Sequence, residues 1–589
     1  MDSVGSRNGD GRTVAAGRTP DRGPSAPDPS RRSATLPMVE GRRYAVPITR
    51  HFRRPEERPF TLAQRPHTTI LVGGLSPQHD QLVEAAVRSM GYRCRALPAA
   101  DLDAFTAGKE YGNNGLCNPA YFTVGNLVRH LQELEAEGMS REEIVDSHVF
   151  LTAGSCGTCR FGMYEAEYRL ALGNAGFDGF RVLVMGTDDG IDQSGDEPMG
   201  LDLDMDFLLG LIQAFDLADT LNQQAWRLRA YEAEEGAVDE ALATVMSDLY
   251  ARMLRRDKYD LARHWTRIFL GTPLEGVARY VAKVGQLVRS EEFLEGMSAA
   301  RERFDAIELD PFRVRPIVRI TGEFWAQCCE GDGNFNVHRF LTREGAEVFV
   351  DRIIFTRLAY TLFIHRGWTR DRKGLRDGEG RIRHYLRYYR KQGILTLGEW
   401  LLRKKNNRLL DALGADFHEM VPQDEMARIA DPYYAWRTTS GEAHLEVADN
   451  IYYHQHHLCH MVLSVKPFTC MPSTQSDGVQ ARVVEDFPGM IFLPIETAGE
   501  GEVIAHSRVQ MALGTARAKA RNEMADALAR SGRTLPELRS WVEDHPELGR
   551  ASYRVPRTEG VVGRAANLAL HVASLMDRRP VRTFVSREV

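Results

Sequence analysis

The chain has 589 residues, of which 43% are hydrophobic and 26% charged, so it is long enough for several domains with buried cores. Its formal net charge of -6 lacks the basic excess that binds nucleic acid or an anionic membrane surface, and no apolar run approaches the roughly 18 residues that cross a bilayer. The N-terminus has no apolar signal segment, and Asp2 and Asp10 argue against a mitochondrial presequence. We therefore expect a soluble, cytoplasmic protein that binds neither membrane nor nucleic acid.

Residues 1–65 are rich in Gly, Pro, Ser and Arg and poor in large apolar side chains. Such a segment cannot bury enough surface to offset the entropy that it would lose on ordering. We predict a disordered basic tail. An arm that binds nucleic acid is the alternative interpretation of the same composition.

From residue 66 to 206, short apolar and β-branched runs alternate with helical patterns. The strand candidates are residues 68–75, 93–98, 147–154 and 180–186, and the helical stretches are 81–90, 124–137 and 162–173. Strands that alternate with helices are typical of a parallel sheet covered on both faces. This part of the chain is predicted to be a Rossmann-like α/β domain.

The rest of the chain divides into three regions. Residues 207–310 have a helical pattern, residues 311–506 have a second α/β pattern, and residues 507–589 are predicted to be C-terminal helices and a tail. The strand candidates of the second α/β region are residues 315–325, 347–355, 465–472 and 489–497. No internal repeat is visible in the residues. The predicted fold class is α/β, with two Rossmann-like parallel-sheet regions, a helical insertion and a helical C-terminal segment.

Eight cysteines stand in a long chain without an export signal, a context that favours metal or redox chemistry over a disulfide framework. Cys156 and Cys159 lie in GSCGTCRFG (154–162), directly after a predicted strand. Ligands of open α/β sheets bind beyond the carboxyl ends of the strands. Because only Gly157 and Thr158 separate the two thiols, both can face one metal centre.

Cys117 and Cys470 share a local pattern, since each is followed two residues later by a proline, Pro119 or Pro472. Cys470 also lies at the end of a strand candidate. If the strand ends meet at a cleft, four thiolates converge, and four cysteines are the common ligand set of a [4Fe–4S] cluster. The spacing alone leaves a zinc site, a thioredoxin-like dithiol and buried inert cysteines open as alternatives.

Five longer segments share the pattern of one family: NNGLCNPAYFTVGNLV (113–128), GSCGTCRFGMYEAEYR (154–169), GEFWAQCCEGDGN (322–334), KPFTCMPSTQSDGVQA (466–481) and FLPIETAGEGEVIAHSRVQMALG (492–514). They resemble the cluster-carrying proteins of the 2-hydroxyacyl-CoA dehydratase system and the related CoA-substrate-specific enzyme activases, over most of residues 67–520. The resemblance implies a [4Fe–4S] cluster on Rossmann-like domains, ligated in this chain by Cys117, Cys156, Cys159 and Cys470. It further implies that the cluster receives low-potential electrons and acts on, or relays them to, a CoA thioester.

The chain departs from larger relatives because it has no GxxxxGK[ST] phosphate loop or other convincing ATP-binding motif. We therefore expect a separate ATP-dependent activator or reductase as its partner, and an oligomer is compatible with such a system. A ligand set of three cysteines would leave an iron open for dehydratase-like or reductase-like chemistry, whereas four would suit electron transfer. A non-catalytic regulatory or assembly factor that contains a cluster is the alternative.

Two other patterns have a functional and an ordinary interpretation. YYHQHHLCHM (452–461) places His456 and His460 four residues apart, which would put two zinc ligands on one helix face or pack the histidines near the cleft. The basic, Tyr-rich stretch 366–391 would suit RNA or the phosphates of CoA, or it is a solvated helix face that contacts an acidic partner.

Overall fold

The computed structural model describes residues 57, 59–154, 159–185, 198–256, 268, 272, 275–375, 378, 380–417, 419–438 and 441–577. The chain divides into a unit of residues 1–53, which lies outside the described residues, and a unit of residues 54–589. The predicted tail therefore lies outside the described residues except at its end. There, Phe60 is buried, and its carbonyl oxygen accepts a hydrogen bond from the Gly200 N–H at 2.7 Å.

The first sheet has four parallel strands in the order β2-β1-β3-β4, namely β1 Thr69–Val72, β2 Arg93–Ala96, β3 His148–Ala153 and β4 Arg181–Met185. Successive side chains enter opposite cores, so that Ile70 and Val72 pack in one core and Leu71 in the other. Both faces are covered along β1, β3 and β4, which is why these strands are largely apolar runs, whereas the edge strand β2 alternates between exposed and buried residues. The helices of this half are α1 Pro77–Ser89, α2 Leu102–Tyr111, α3 Asn118–Ala136, α4 Arg141–Ser147 and α5 Tyr164–Asn174.

A helical layer joins the two α/β halves. It consists of α6 Met205–Leu228, α7 Ala237–Leu254, α8 Glu275–Arg289 and α9 Glu291–Asp305. Helix α6 is buried on nearly all sides, as expected of a helix that is surrounded by other elements. It packs against α1 of the first half and against the second sheet.

The second sheet repeats the topology of the first. Its parallel strands β5 Ile317–Gly322, β6 Glu347–Val350, β7 Met461–Pro467 and β8 Phe492–Thr497 lie in the order β6-β5-β7-β8. In each half, the first and third strands are neighbours at the centre of the sheet. The predicted α/β class with two parallel-sheet regions is confirmed, and one plan occurs twice although the sequence shows no repeat.

The remaining helices surround the second sheet and form the C-terminal segment. They are α10 Phe324–Cys328, α11 Val337–Arg343, α12 Ile353–Asp371, α13 Arg381–Leu413, α14 Gln423–Ala430, α15 Ala443–Gln455, α16 Met471–Asp486, α17 Glu502–Ser531, α18 Leu535–Asp544 and α19 Arg564–Met576. The strand predicted over 347–355 is wrong in its second part, because a helix begins at Ile353. Within the described ranges, none of the helices has the length and apolarity needed to cross a bilayer.

The carboxyl ends of the central strands of the first sheet lie near those of the second sheet. Trp325, which follows β5, donates from its indole Nε1 to the carbonyl oxygen of Gly74, which follows β1, at 2.7 Å. The ring of Trp325 also packs against Phe122 of α3, with 5.6 Å between the ring centroids. Asn118, at the start of α3, donates to the carbonyl oxygen of Gly333 at 3.0 Å. These contacts join the two halves at the carboxyl ends of the strands, where open α/β sheets bind ligands, and we call this junction the cleft.

Candidate functional site

Cys117 and Cys470 have the same local role, since each begins a helix that has a proline in its first turn. Cys117 is the N-cap of α3 and Cys470 is the N-cap of α16. In each case the proline two residues later lies in the first helical turn, where the absence of an N–H costs nothing. Both thiols are buried. Each sulfur therefore lies at the positive end of a helix, which favours a thiolate or another anionic group.

Cys159 follows β3, as Cys470 follows β7, so that the CxxC segment and Cys470 come after equivalent strands. Its thiol is partly buried. The next residue, Arg160, donates from its guanidinium to the carbonyl oxygen of Gly115, which joins this segment to the approach of α3. Cys156 lies outside the described residues, so its predicted role stays a prediction.

The three described thiols have one carboxylate in common. Burial raises the pKa of Cys117, of Cys159 (to about 12) and of Cys470, and in each case the charge of Glu323 raises the thiol pKa further. The charge of the ionised Cys117 thiol also raises the pKa of Cys159. Cys117, Cys159 and Cys470 thus all feel the charge of Glu323, while their role as ligands of one cluster stays a prediction.

Glu323 is the N-cap of α10, and its carboxylate accepts a hydrogen bond from the Ala326 N–H at 2.9 Å. Burial, and secondly the charge of Glu442, raise the pKa of Glu323 to about 8. At neutral pH the side chain is therefore mostly protonated. A neutral carboxyl group can hold a proton beside the thiols, as a general acid requires.

A chain of hydrogen bonds leads from Cys470 to a second buried carboxyl group, Glu446. The Cys470 thiol donates to the Ser473 hydroxyl at 3.2 Å, and this hydroxyl donates to Glu446 at 2.7 Å. Burial raises the pKa of Glu446 to about 7. Glu442 forms an ion pair of 2.9 Å with Arg357. Glu442, Glu446 and Arg357 line part of a cavity of about 60 Å³.

The described residues contain no group of three or more His, Cys, Asp or Glu side chains close enough to hold one metal ion. An inorganic core of several irons is larger than an ion and is held by thiolates that lie farther apart. Cys117 and Cys470 lie at helix N-termini, and the binding of a cluster by the predicted cysteines stays a prediction.

In the iron-free chain, the contribution of Glu323 to the free energy of unfolding is expected to fall as the pH rises from about 4.5 to about 8. Over this range Glu323 is ionised in the unfolded chain and protonated in the folded one, so the folded state binds the additional proton. We expect Glu323→Gln to make the slope of stability against pH shallower, by at most about 1.4 kcal/mol per pH unit.

Urea unfolding of both chains at several pH values measures this difference. Glu543→Gln, at an exposed position, is the matched control and should leave the slope unchanged. Equal slopes for Glu323→Gln and the wild-type chain would show that Glu323 is ionised in the folded protein at neutral pH.

Sequence reasoning missed the carboxylates and the arginine of this site, namely Glu323, Glu442, Glu446 and Arg357. Only Glu323 had a signal, because it lies near the end of the strand predicted over 315–325, in a segment quoted for the resemblance to the dehydratase family. The other three lie in helical or loop segments, and their proximity arises from the folding of distant parts of the chain.

Of the two interpretations of the histidine group, a shared helix face of His456 and His460 is not formed. Helix α15 ends at Gln455, before both His456 and His460. His456 is exposed, whereas His460 is buried and its Nδ1 accepts a hydrogen bond from the Ile317 N–H at 2.9 Å. His460 therefore has a structural role at the start of β5. Cys94 is a buried core thiol.

The basic stretch 366–391 lies on α12 and α13, where much of its surface is exposed. Arg366 pairs with Glu399 at 3.3 Å and also contacts Asp424. The predictions of RNA or CoA phosphate binding by this stretch stay predictions.

Scans against protein-family models, curated proteins and solved structures found no match to the chain. The likeness to the dehydratase family therefore depends on the five sequence segments and on the placement of their cysteines.

Proposed function

We propose that the chain is an iron–sulfur redox protein related to 2-hydroxyacyl-CoA dehydratase components, with a [4Fe–4S] cluster in the cleft between its two α/β halves. Cys117, Cys159 and Cys470 would hold the cluster together with Cys156. The observation that carries this proposal is the common neighbour of the three described thiols, the Glu323 carboxylate. A bound cluster of this kind supplies single electrons at low potential.

The surroundings of the thiols favour a ligating role over a dithiol redox role. A nucleophilic cysteine needs a lowered pKa, whereas burial raises the pKa of Cys159 to about 12. Iron displaces the thiol proton on binding, so a raised pKa makes binding pH-dependent without preventing it. This observation weighs against the thioredoxin-like alternative.

The chain's own residues would exclude water and hold protons near the reacting atoms. Phe122 and Trp325 are buried and pack against each other where the halves meet. Glu323 and Glu446 carry protons near neutral pH, because burial raises the pKa of both carboxyl groups. A CoA thioester whose acyl group reached the cleft would thus have proton donors beside it. A separate ATP-dependent activator or reductase would supply the electrons.

Iron, sulfide and zinc analysis of the chain purified without oxygen tests this proposal. We expect roughly four iron and four sulfide atoms per chain and no stoichiometric zinc. Zinc in stoichiometric amount without sulfide would favour a structural zinc site instead, and a metal-free chain would contradict both.

Tyr164→Phe is expected to retain the cluster and to make its reduction potential more negative. The Tyr164 hydroxyl lies 3.0 Å from the Cys117 sulfur and can donate a hydrogen bond to a ligating thiolate. Such bonds stabilise the reduced, more negative state, so their removal lowers the potential. A spectroelectrochemical titration measures this shift.

Tyr168→Phe is the matched control, because Tyr168 is a buried tyrosine one turn further along α5 whose hydroxyl bonds to threonines. An unchanged potential in Tyr164→Phe, or an equal shift in both variants, would contradict the assignment of Cys117 as a ligand.

A further inference from the structure

A second cavity lies where the strands of the second sheet begin, at the end opposite to the cysteine cleft. It is lined by Ile317 and Glu347, the first residues of β5 and β6, whereas the cleft lies beyond Gly322 at the end of β5. The length of β5, roughly 17 Å at about 3.3 Å per residue, separates the two sites. The cavity measures about 40 Å³, which is room for roughly three water molecules or one small polyatomic ion.

Three arginines line this cavity, and one of them is buried with unused donors. Arg227 of α6 donates from Nη2 to Gln224 at 3.0 Å and to the carbonyl oxygen of Ala551 at 2.8 Å. Its Nε and Nη1 are buried without a hydrogen-bond partner among the described residues. A buried guanidinium with two unsatisfied donors is costly unless something else accepts from them.

Arg557 provides a second unpaired cation. It lies on the segment between α18 and α19, is partly exposed, and makes no hydrogen bond or ion pair with the described part of the chain. Arg564, at the start of α19, is already engaged with Asp416 at 2.9 Å and with the carbonyl oxygen of Tyr553 at 2.9 Å. The unclaimed donors are therefore those of Arg227 and Arg557.

The charges that face the cavity leave a positive excess. The carboxylates of Asp416 and Glu347 oppose the three arginines. Asp416 is paired with Arg564, and Glu347 accepts a hydrogen bond from the Tyr231 hydroxyl at 2.5 Å. Neither carboxylate lies within ion-pair distance of Arg227 or Arg557. Among the residues that line the cavity, the three arginines thus exceed the two carboxylates by one positive charge.

We propose that this cavity binds a compact oxyanion of the phosphate or sulfate class on the free donors of Arg227 and Arg557. The planar fork of a guanidinium matches the spacing of two oxygens on such an ion. The bound ion would join α6 to the segment before α19 and so hold the C-terminal segment against the second sheet. Because Arg557 is partly exposed, the oxyanion is either a free ion or the terminal group of a larger molecule.

Thermal unfolding of the full chain in inorganic phosphate, in sulfate and in chloride at equal ionic strength tests the proposal, and it needs no iron. We expect a saturable rise in Tm with phosphate or sulfate that chloride does not produce. Arg557→Gln should weaken the apparent affinity about tenfold or more. It should leave the Tm in chloride nearly unchanged, because Arg557 has no partner to lose.

Arg554→Gln is the matched control. Arg554 lies on the same segment, is exposed, and pairs with Asp411 rather than facing the cavity. This variant should keep the full phosphate response. A stronger response to a nucleoside monophosphate than to phosphate would support the proposal and assign the oxyanion to a larger ligand. Absence of a saturable response, or the same response in Arg557→Gln as in the wild-type chain, would overturn it.

Discussion

Cys159→Ser and Cys470→Ser are each expected to reduce the bound iron from roughly four atoms per chain to a small fraction of that value. Serine keeps the size of the side chain but is a poor iron ligand beside thiolates. Because the two residues follow equivalent strands of the two halves, the loss in both variants would place the iron between the halves. Oxygen-free reconstitution followed by iron and sulfide assays measures the effect.

Cys94→Ser and Cys459→Ser serve as the controls. Both thiols are buried, but Cys94 packs in the core beside β1 and Cys459 packs beside Ile317 at the start of β5, away from the cleft. These variants should keep the iron content of the wild-type chain. Full iron in Cys470→Ser would remove Cys470 from the ligand set and with it the contribution of the second half.

Gly125→Ala is expected to destabilise the chain by about 3 kcal/mol or more and to lower its iron content. A Cβ atom on Gly125 of α3 would lie 1.8 Å from the carbonyl oxygen of Ala104 and 2.4 Å from the backbone nitrogen of Gly108, both in α2. Backbone atoms cannot rotate away as a side chain does, so α3 must shift as a whole. Cys117 caps this helix and would be displaced with it.

Gly514→Ala is the matched control, since Gly514 also lies within a long helix, α17, but has nothing near the position of a new Cβ. There the substitution should stabilise the chain by about 0.5–1 kcal/mol, because alanine loses less conformational freedom on folding. Urea unfolding of both variants gives the comparison. A similar gain in Gly125→Ala would show that α2 and α3 do not cross as closely as the structure has them.

The sequence was sufficient to predict the strands that are buried on both faces. Strands β3 and β4 match their predicted ranges within one residue or two at each end, because apolar, β-branched runs between glycines leave few alternatives. The run at 353–355 was read as strand although it opens α12, since a short apolar run fits a buried helix equally well. Helix α2 was not predicted, because LDAFTAGKEY has only a weak helical pattern of apolar residues. Its packing against α3 stabilises the helix, and the sequence does not show this contact.

The site was predictable only where the chain carries a local signal. The proline two residues after each cysteine indicated that Cys117 and Cys470 have similar surroundings. Both cysteines are the N-caps of helices that have this proline in their first turn. Glu442 and Arg357 carry no such signal, because the ion pair between them depends on the packing of α12 against the residue before α15. The shared strand order of the two sheets was also hidden, since topology leaves no mark on residue identity.

X-ray absorption at the iron K edge of the chain purified without oxygen tests the central claim most directly. The claim is that thiols from both halves of the fold surround one inorganic core beside Glu323. We expect an iron environment of sulfur with iron–iron scattering at short range. Iron bound by oxygen and nitrogen alone, without iron–iron scattering, would contradict the account.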